Sequence, residues 1–544
     1  MPLRFAPPTA EAYRYPLTIR HLLANVLLTA ASREIVYRDK VRLTYADLVG
    51  RVGRQASFLA GLGVEAGATV AVMDWDSHRY LEAYFAVPMM GAVLLTVNIR
   101  LPAAQVAYTL AHAGAEVLLV HRDFFPLVEA ILPSLPDVKA VVAILDGEES
   151  PLPAWATGEY EALSAAADPG FPFADFDENA IATSFYTSGT TGDPKAVCFS
   201  HRQLVLHTLA ASGPFGASPV APLFGYGDVY MPLTPMFHVH AWGAPYVATM
   251  LGLKQVYPGR YEPEMICRLR QEHRVSYSHC VPTILQMVLD AAARTGADLS
   301  GWKMVIGGSA LTRALCVEGR RRGMVVVAGY GMSETAPMIA MARPAPDGEE
   351  QEERAVEALT AAGVPVPLVH ARIVDADMRD LPHDGVARGE LVLRAPWLTP
   401  CYVGNDQASA DLWHGGWMHT QDIATIDADG RIRIRDRLKD VIKTGGEWID
   451  SIHLEELVAT ARGVAQASVV AVPDEKWGER PLAVIVPDAG ASPDLADLNA
   501  PIEQAIATGV ITRFARLDRF RIVDDLPKTS VGKIDKKRLR ALFA

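Results

Sequence analysis

The sequence predicts an α/β protein: a large N-terminal domain of parallel sheets covered by helices with a small β-subdomain, then a small α+β C-terminal domain. Three observations lead there. Segments of helical and strand period alternate through the first three quarters of the chain. Short strands broken by Asp-Gly and Arg-Gly turns follow. The 544 residues, 50% of them hydrophobic, exceed one ordinary core and suffice for several.

The elements follow in order. LTYADLVGRVGRQASFLAGLG carries apolar residues at helical spacing and stops at Gly63. ATVAVMDW reads as a strand, HRYLEAYFAVPMMG as a helix and AVLLTVN as a strand. AYTLAHAGAEVLLVH repeats the helix–strand step, and AVVAIL is a further strand. This rhythm predicts parallel strands with ligands beyond their carboxyl ends. Residues 343–360 are acidic and predict an exposed loop and helix. ARIVDADMRDLPHDGVARGELVLRAP predicts the β-subdomain, and IATIDADGRIRIRDR a hairpin turning at Asp429-Gly430. Residues 454–487 read helix, strand, strand, and the tail adds a helix, the short strand FRIVDDLP and a basic helix. The expected domains are 1–436 and 437–544, the second of an ordinary domain size.

Net charge is −12 with no long basic run, which argues against nucleic acid as a partner. Lys533, Lys536, Lys537, Arg538 and Arg540 form a small basic cluster suited to phosphate; Arg538 and Arg540 read as a solvated helix face. Five scattered cysteines with no metal spacing predict reduced thiols in a cytoplasmic protein. The N-terminal stretch has prolines and charges and no apolar signal region. The apolar run 83–99 holds Pro88, Gly91 and Asn98 and reads as helix then strand, not as a membrane span.

SFYTSGTTGDPKAV, from Ser184, is the most informative stretch. Glycines let backbone N–H groups approach an anion, hydroxyls add donors, and Lys195 adds charge. That composition suits a loop wrapping a polyphosphate. It is not the GxxxxGK[ST] loop, since Ala196 follows the lysine, which disfavours a P-loop kinase. VIGGSAL lacks the final glycine of a serine-hydrolase elbow. The two histidines of HVHAW have no third ligand nearby, which argues against a zinc site.

TSGTTGDPKAV resembles the phosphate loop of the adenylate-forming superfamily of acyl-CoA synthetases, adenylation domains and luciferases. MPLTPMFHVHAW, GGSAL, GYGMSETAP, GWMHTQD, RLKDVIKTGGEWI and LPKTSVGKIDKK follow in the family's order, so the resemblance spans nearly the whole chain. It implies ATP-dependent joining of a carboxylic acid to coenzyme A through an acyl-adenylate, with release of AMP and pyrophosphate. Lys533 corresponds to the family's catalytic lysine, with Lys528 a structural neighbour. Thr187, Ser188, Gly189, Thr190, Thr191, Gly192 and Lys195 would hold the ATP phosphates, and Thr187 with Glu334 the Mg²⁺. Gly308, Gly329, Tyr330, Gly331, Met332 and Ser333 would line the adenine and α-phosphate pocket. Asp422 and Arg437 would take the ribose, and Lys443 would pack against the adenylate. Gln421 and Ala196 stand where the family usually has glycine.

The resemblance places a hinge at Lys439, and Gly445, Gly446, Glu447 and Trp448 along the pantetheine path of coenzyme A. Phe237, His238, Val239, Trp242, Gly307 and Gly308 would line the acyl site, His238 helping to place the acyl group. Val281, Pro282, Ile306 and Leu311 make that pocket apolar, with no acidic anchor for an amino group. FHVHAW with GGEWI is similar to medium- and long-chain fatty acyl-CoA synthetases and to 3-methylmercaptopropionate CoA ligases, where the tryptophan stands at the acyl tunnel. The absence of a carrier segment after Ala544 favours coenzyme A as acceptor. The alternatives are a stand-alone adenylation enzyme loading a carrier protein and a luciferase-like oxygenase. Family members include monomers and homodimers.

Overall fold

The computed structural model describes residues 3–187, 193–216, 224–343, 352–530 and 532–543. Ser188 to Gly192 therefore lie outside the described residues. The alternating rhythm builds two largely parallel sheets. In the seven-stranded sheet the strands run in the order Gly158–Glu159, Ala140–Ile144, Ala115–His121, Thr69–Met73, Val93–Thr96, Ile181–Tyr186, Ala196–Ser200. Its neighbours are parallel except the last pair. The nine-stranded sheet takes Glu34–Tyr37 and Val41–Thr44 at one edge and five strands between Val229 and Gly331 at its centre. Its parallel register includes His279 opposite Val305 and Ile306 opposite Ala328. Pairing of residues 34–37 with 255–257 is a long-range event that no local pattern signals.

Local chemistry sets the helix boundaries. Thr44 caps the helix Tyr45–Gly61 in a reciprocal box with Asp47, and Ser77 caps His78–Met89 by accepting from the Tyr80 N–H. Every residue of His78–Met89 is buried. Its charged side chains must then be paired. Arg79 meets Asp146 at 2.8 Å. Glu82 accepts from Arg51 Nε and from the Tyr160 hydroxyl, each at 2.6 Å.

An antiparallel four-stranded sheet, His370–Val374, Gly389–Arg394, Met418–Ile426 and Ile432–Arg437, forms the β-subdomain. A turn in which Val441 N–H donates to Arg437 O at 3.0 Å leads to the C-terminal sheet, whose first strand is Ile442–Thr444. Val464–Asp474 and Gly478–Pro487 pair along their length, and Phe520–Ile522 adds in parallel. The main hydrophobic cluster ends at Ile432, and separate clusters begin at Ile442. Among the described residues no helix is long and apolar enough to cross a membrane. The acidic segment holds the helix Glu352–Thr360, while residues 344–351 are outside the described residues.

One expectation is corrected. Arg540 is no solvated side chain. Its Nη1 pairs with Asp440 at 2.7 Å, pinning the last helix, Lys536–Phe543, to the turn between the sheets. Replacing Glu82 by Ala strands the buried Tyr160 hydroxyl and takes from Arg51 one of its two carboxylate partners, Glu161 remaining at 2.9 Å. The expected loss is about 1–3 kcal/mol of stability, read as an earlier urea midpoint. An unchanged midpoint would show that this helix is not held by its charges.

Candidate active site

The Gly/Ser/Thr loop leaves the end of one strand and returns to its neighbour. Tyr186 and Ala196 form the last pair, and the Thr187 N–H donates to the Lys195 carbonyl at 2.9 Å. Thr187 and Lys195 thus stand side by side at the loop's mouth. Ala196 takes an ordinary strand position, and its carbonyl accepts from Val403 N–H at 3.0 Å. Glycine's freedom is not needed there.

GYGMSETAP closes the strand Val325–Gly331 and turns through Ser333–Thr335. Gly331 is sterically required: a Cβ there would come within 1.7 Å of the Pro337 carbonyl oxygen. That turn buries Glu334, whose Oε1 accepts from the Tyr402 hydroxyl at 2.6 Å. Lys195 Nζ lies 4.6 Å from the centre of the Tyr402 ring. Tyr402 is a site residue that the motifs do not reveal. It sits in TPCYVGN, beyond every segment singled out, and only tertiary contact places it between Lys195 and Glu334.

Asp422 and Arg437 are partners across two antiparallel strands, and Arg437 Nε meets Asp422 Oδ1 at 2.7 Å. Tyr330 donates its hydroxyl to Asp422 Oδ2 at 2.6 Å. Burial raises the Asp422 pKa, and Arg437 and Tyr330 oppose the rise. Gln421 occupies the left-handed region at φ 58°, the conformation for which glycine is suited. That costs a non-glycine residue ~1–2 kcal/mol. The Gln421 N–H donates to Glu390 Oε1 at 3.0 Å and its carbonyl accepts from Leu438 N–H at 2.9 Å, so the turn is kept without glycine.

Lys533 arrives from the C-terminal domain. Its N–H donates to Thr529 Oγ1 at 3.2 Å, and its carbonyl accepts from Thr529 N–H at 2.7 Å, which shapes a tight loop. The loop is docked by Asn98 Nδ2 on Ser530 Oγ at 3.0 Å and by Thr283 Oγ1 on Gly532 O at 3.2 Å. The lysine stem passes over Gly308, where an added Cβ would lie 3.2 Å from Lys533 Cε. Burial, and next the Arg437 charge, lower the Lys533 pKa to about 8 against the pull of Asp422 and Glu334. Lys528 pairs locally with Asp525 at 2.8 Å.

The segment MFHVHAWG has an unusual backbone. Val239, His240, Ala241, Trp242 and Gly243 all have positive φ, from 46° to 72°. Four non-glycine residues in this region store strain of ~1–2 kcal/mol each. The turn is clamped from behind: Asp76 Oδ1 accepts from Met236 N–H at 2.8 Å and Thr96 Oγ1 donates to Phe237 O at 2.9 Å. The result throws alternate side chains to opposite sides. Trp242 reaches the end of the next strands, with ring atoms 3.1 Å from where a Gly307 Cβ would be and its centroid 5.1 Å from that of His279. His240 packs among Tyr84, Phe185, Phe199 and Tyr246. Burial lowers the pKa of His238 and of His240 to about 3, with Lys533 and Arg100 adding to the effect at His238, so both rings are neutral at pH 7.

The structure does not gather every expected residue here. Lys443, Gly445, Gly446, Glu447 and Trp448 belong to a hairpin of the C-terminal sheet. Lys443 faces the Trp448 ring at 5.4 Å, and Trp448 is 48% exposed. Lys439 lies exposed in the turn between the sheets. Among the described residues no three His, Cys, Asp or Glu side chains form a metal cluster. Glu334 and Thr187 offer hard oxygen donors that suit Mg²⁺, an ion that ordinarily completes its shell with water and substrate phosphate.

The comparisons fit this geometry. A family model described as "AMP-binding enzyme" matches residues 25–403, and its "AMP-binding enzyme C-terminal domain" matches 453–533. A long-chain-fatty-acid–CoA ligase of Thermus thermophilus is 41% identical over 92% of this chain and 90% of its own length. A 3-methylmercaptopropionyl-CoA ligase of Ruegeria lacuscaerulensis is 36% identical over 97% of both chains. The crystal structure of an anthranilate CoA ligase with anthranoyl-AMP shares the fold, with TM-score 0.84, 23% identity and coverage of 97% of this chain and 98% of its own.

A pH dependence follows from the lowered pKa of Lys533. Its charged form is lost as pH rises through about 8, so kcat/KM for ATP should fall over that range in ATP–pyrophosphate exchange. Lys533→Arg should remove that limb, because a guanidinium stays charged. A wild-type profile flat from pH 7 to about 9.5 would show that Lys533 protonation does not limit the reaction.

Proposed function

This chain belongs to the AMP-binding enzyme family, and on that premise we propose its reaction in detail. It is an AMP-forming acid–thiol ligase that activates a carboxylic acid with ATP and passes the acyl group to coenzyme A. The observation that carries the reading is the seating of Lys533 over Gly308, in the field of Asp422, Arg437 and Glu334. A cation held where an acid and a phosphate converge is what adenylation requires.

In the first half-reaction an acid carboxylate oxygen attacks the α-phosphorus of ATP and pyrophosphate leaves. The protein's part is alignment and charge neutralisation. Asp422 accepts from the ribose hydroxyls while Arg437 and Tyr330 fix its orientation. Thr187 and Lys195 hold the β- and γ-phosphates with the loop between them. Glu334 and the Thr187 hydroxyl would hold Mg²⁺, which supplies positive charge to the polyphosphate when bound. Lys533 neutralises charge building on the α-phosphate and the acid carboxylate. In the second half-reaction the C-terminal domain turns about Lys439 and brings the hairpin of Gly445, Gly446 and Trp448 to the pantetheine arm. The thiol then attacks the acyl carbonyl and AMP leaves.

The acid enters an apolar pocket between Phe237, Trp242, Val281 and Gly307. No cation in these segments offers to bind a second carboxylate. Neutral His238 and His240 add none. That favours a plain acyl chain or a thioether acid, and relatives named for these two chemistries match 92% and 97% of this chain. Trp242, on its strained turn, stands as the gate of the pocket.

Pyrophosphate release should be measured with Mg-ATP across acids from acetate to palmitate, with 3-methylmercaptopropionate, benzoate and amino acids, with and without coenzyme A. A preference for unbranched or thioether acids, with coenzyme A accelerating turnover, is expected. Trp242→Ala should move that preference by a few methylenes, each worth ~1–3 kcal/mol at most, with little change in KM for ATP. Turnover indifferent to coenzyme A would redirect the second step to a carrier protein or oxygen, and an unchanged acid profile would remove Trp242 from the pocket.

A further inference from the structure

We infer that Tyr402 is a positioning residue that couples the metal-holding carboxylate to the polyphosphate lysine. The inference rests on the roles proposed above for Glu334 and Lys195. One side chain touches both groups with different parts of itself. Its hydroxyl donates to Glu334 Oε1 at 2.6 Å, and its ring face carries Lys195 Nζ at 4.6 Å from the centre.

The chemistry of a phenol suits both contacts. A phenol is a hydrogen-bond donor in its neutral form, and Glu334 Oε1 is the acceptor it meets. Donation to one carboxylate oxygen fixes the rotation of Glu334 and leaves the other oxygen for a cation. The ring attracts the ammonium through its charge. The three N–H bonds of Lys195 therefore stay available for phosphate oxygens. Phenylalanine would keep the second contact and lose the first. Leucine would lose both.

The backbone around Tyr402 is tied to both partners. Thr399 N–H donates to the Glu334 carbonyl at 2.9 Å. Thr399 Oγ1 lies 3.2 Å from the Cys198 carbonyl and 3.0 Å from that of Cys401. Val403 N–H donates to Ala196 O at 3.0 Å, next to Lys195, and Tyr402 N–H donates to Ser409 Oγ at 3.0 Å. Residues 399–403 thus join the strand that follows the phosphate loop to the turn that carries Glu334. A displacement at either partner reaches the other through Tyr402.

Calorimetric titration of the full chain with a non-hydrolysable ATP analogue, with and without Mg²⁺, tests this. In the wild type Mg²⁺ should tighten binding. In Tyr402→Phe that gain should shrink ~10-fold, the usual worth of a hydrogen bond to a charged group, while affinity without Mg²⁺ stays put. In Tyr402→Leu affinity without Mg²⁺ should also fall about threefold, as loss of an exposed cation–π contact implies. A role in packing alone would weaken both conditions alike and leave the Mg²⁺ gain intact, which would overturn the coupling. Should the leucine variant not fold, the cycle with Glu334→Gln decides. Tyr402→Phe should then cost nothing further, and additive losses would overturn the inference. A wild type without any Mg²⁺ gain would refute the metal role of Glu334 itself, and the coupling with it.

Discussion

The site depends on one constraint: a lysine from the C-terminal domain must be held, charged, inside a pocket built by the N-terminal domain. Burial opposes the charge, and Arg437 opposes it further. Asp422 and Glu334 make it tolerable. Each of those carboxylates is in turn oriented by a tyrosine, Tyr330 on Asp422 and Tyr402 on Glu334. Gly308 matters because it leaves room for the lysine stem. On the roles proposed above, the nucleotide and acyl sites thus share a wall to which both domains contribute.

That orientation is held by polar contacts rather than by a shared core. Arg388 Nη1 meets Asp450 Oδ1 at 2.8 Å across the domains. The Asp436 carboxylate accepts from the N–H and hydroxyl of Ser451, and burial raises its pKa to about 6. Asn98 Nδ2 donates to Ser530 Oγ at 3.0 Å and Thr283 Oγ1 to Gly532 O at 3.2 Å, also across the domains. Water replaces such hydrogen bonds when the domains part, so each contributes only about 0.5–1.5 kcal/mol net, whereas an apolar interface of the same extent would be lost outright. On the reading proposed above, this is the physical basis on which one domain serves two half-reactions.

Much of the fold was legible in the sequence because its signals are local. The periods of 43–63 and 68–75, the stop at Gly63 and the turn at Asp429-Gly430 need no knowledge of distant residues. Division of the strands between two sheets was not legible, since it rests on pairing residues near 35 with residues near 256. Within the site, motif order identified Glu334, Asp422 and Lys533 as residue types in context. Tyr402 was hidden because its roles come from a cation and a carboxylate supplied by other segments. The left-handed run at Val239–Gly243 was hidden for another reason. Four residues with side chains gave no glycine signal for that conformation, and the bonds from Asp76, Tyr84 and Thr96 that hold the preceding Met236 and Phe237 are long-range. Arg540 was misread because a basic helix face looks solvated until its acidic partner, a hundred positions away, is brought to it.

The central claim is that Lys533 serves adenylation alone, in the orientation described here. The direct measurement compares the two half-reactions in Lys533→Ala: ATP–pyrophosphate exchange with a good acid, and transfer of a supplied acyl-adenylate to coenzyme A. The account predicts a loss of about a hundredfold or more in the first, the scale for removing a preorganised charge at a developing anion, with the second nearly unchanged. Equal losses in both, or full exchange activity without the lysine, would contradict it.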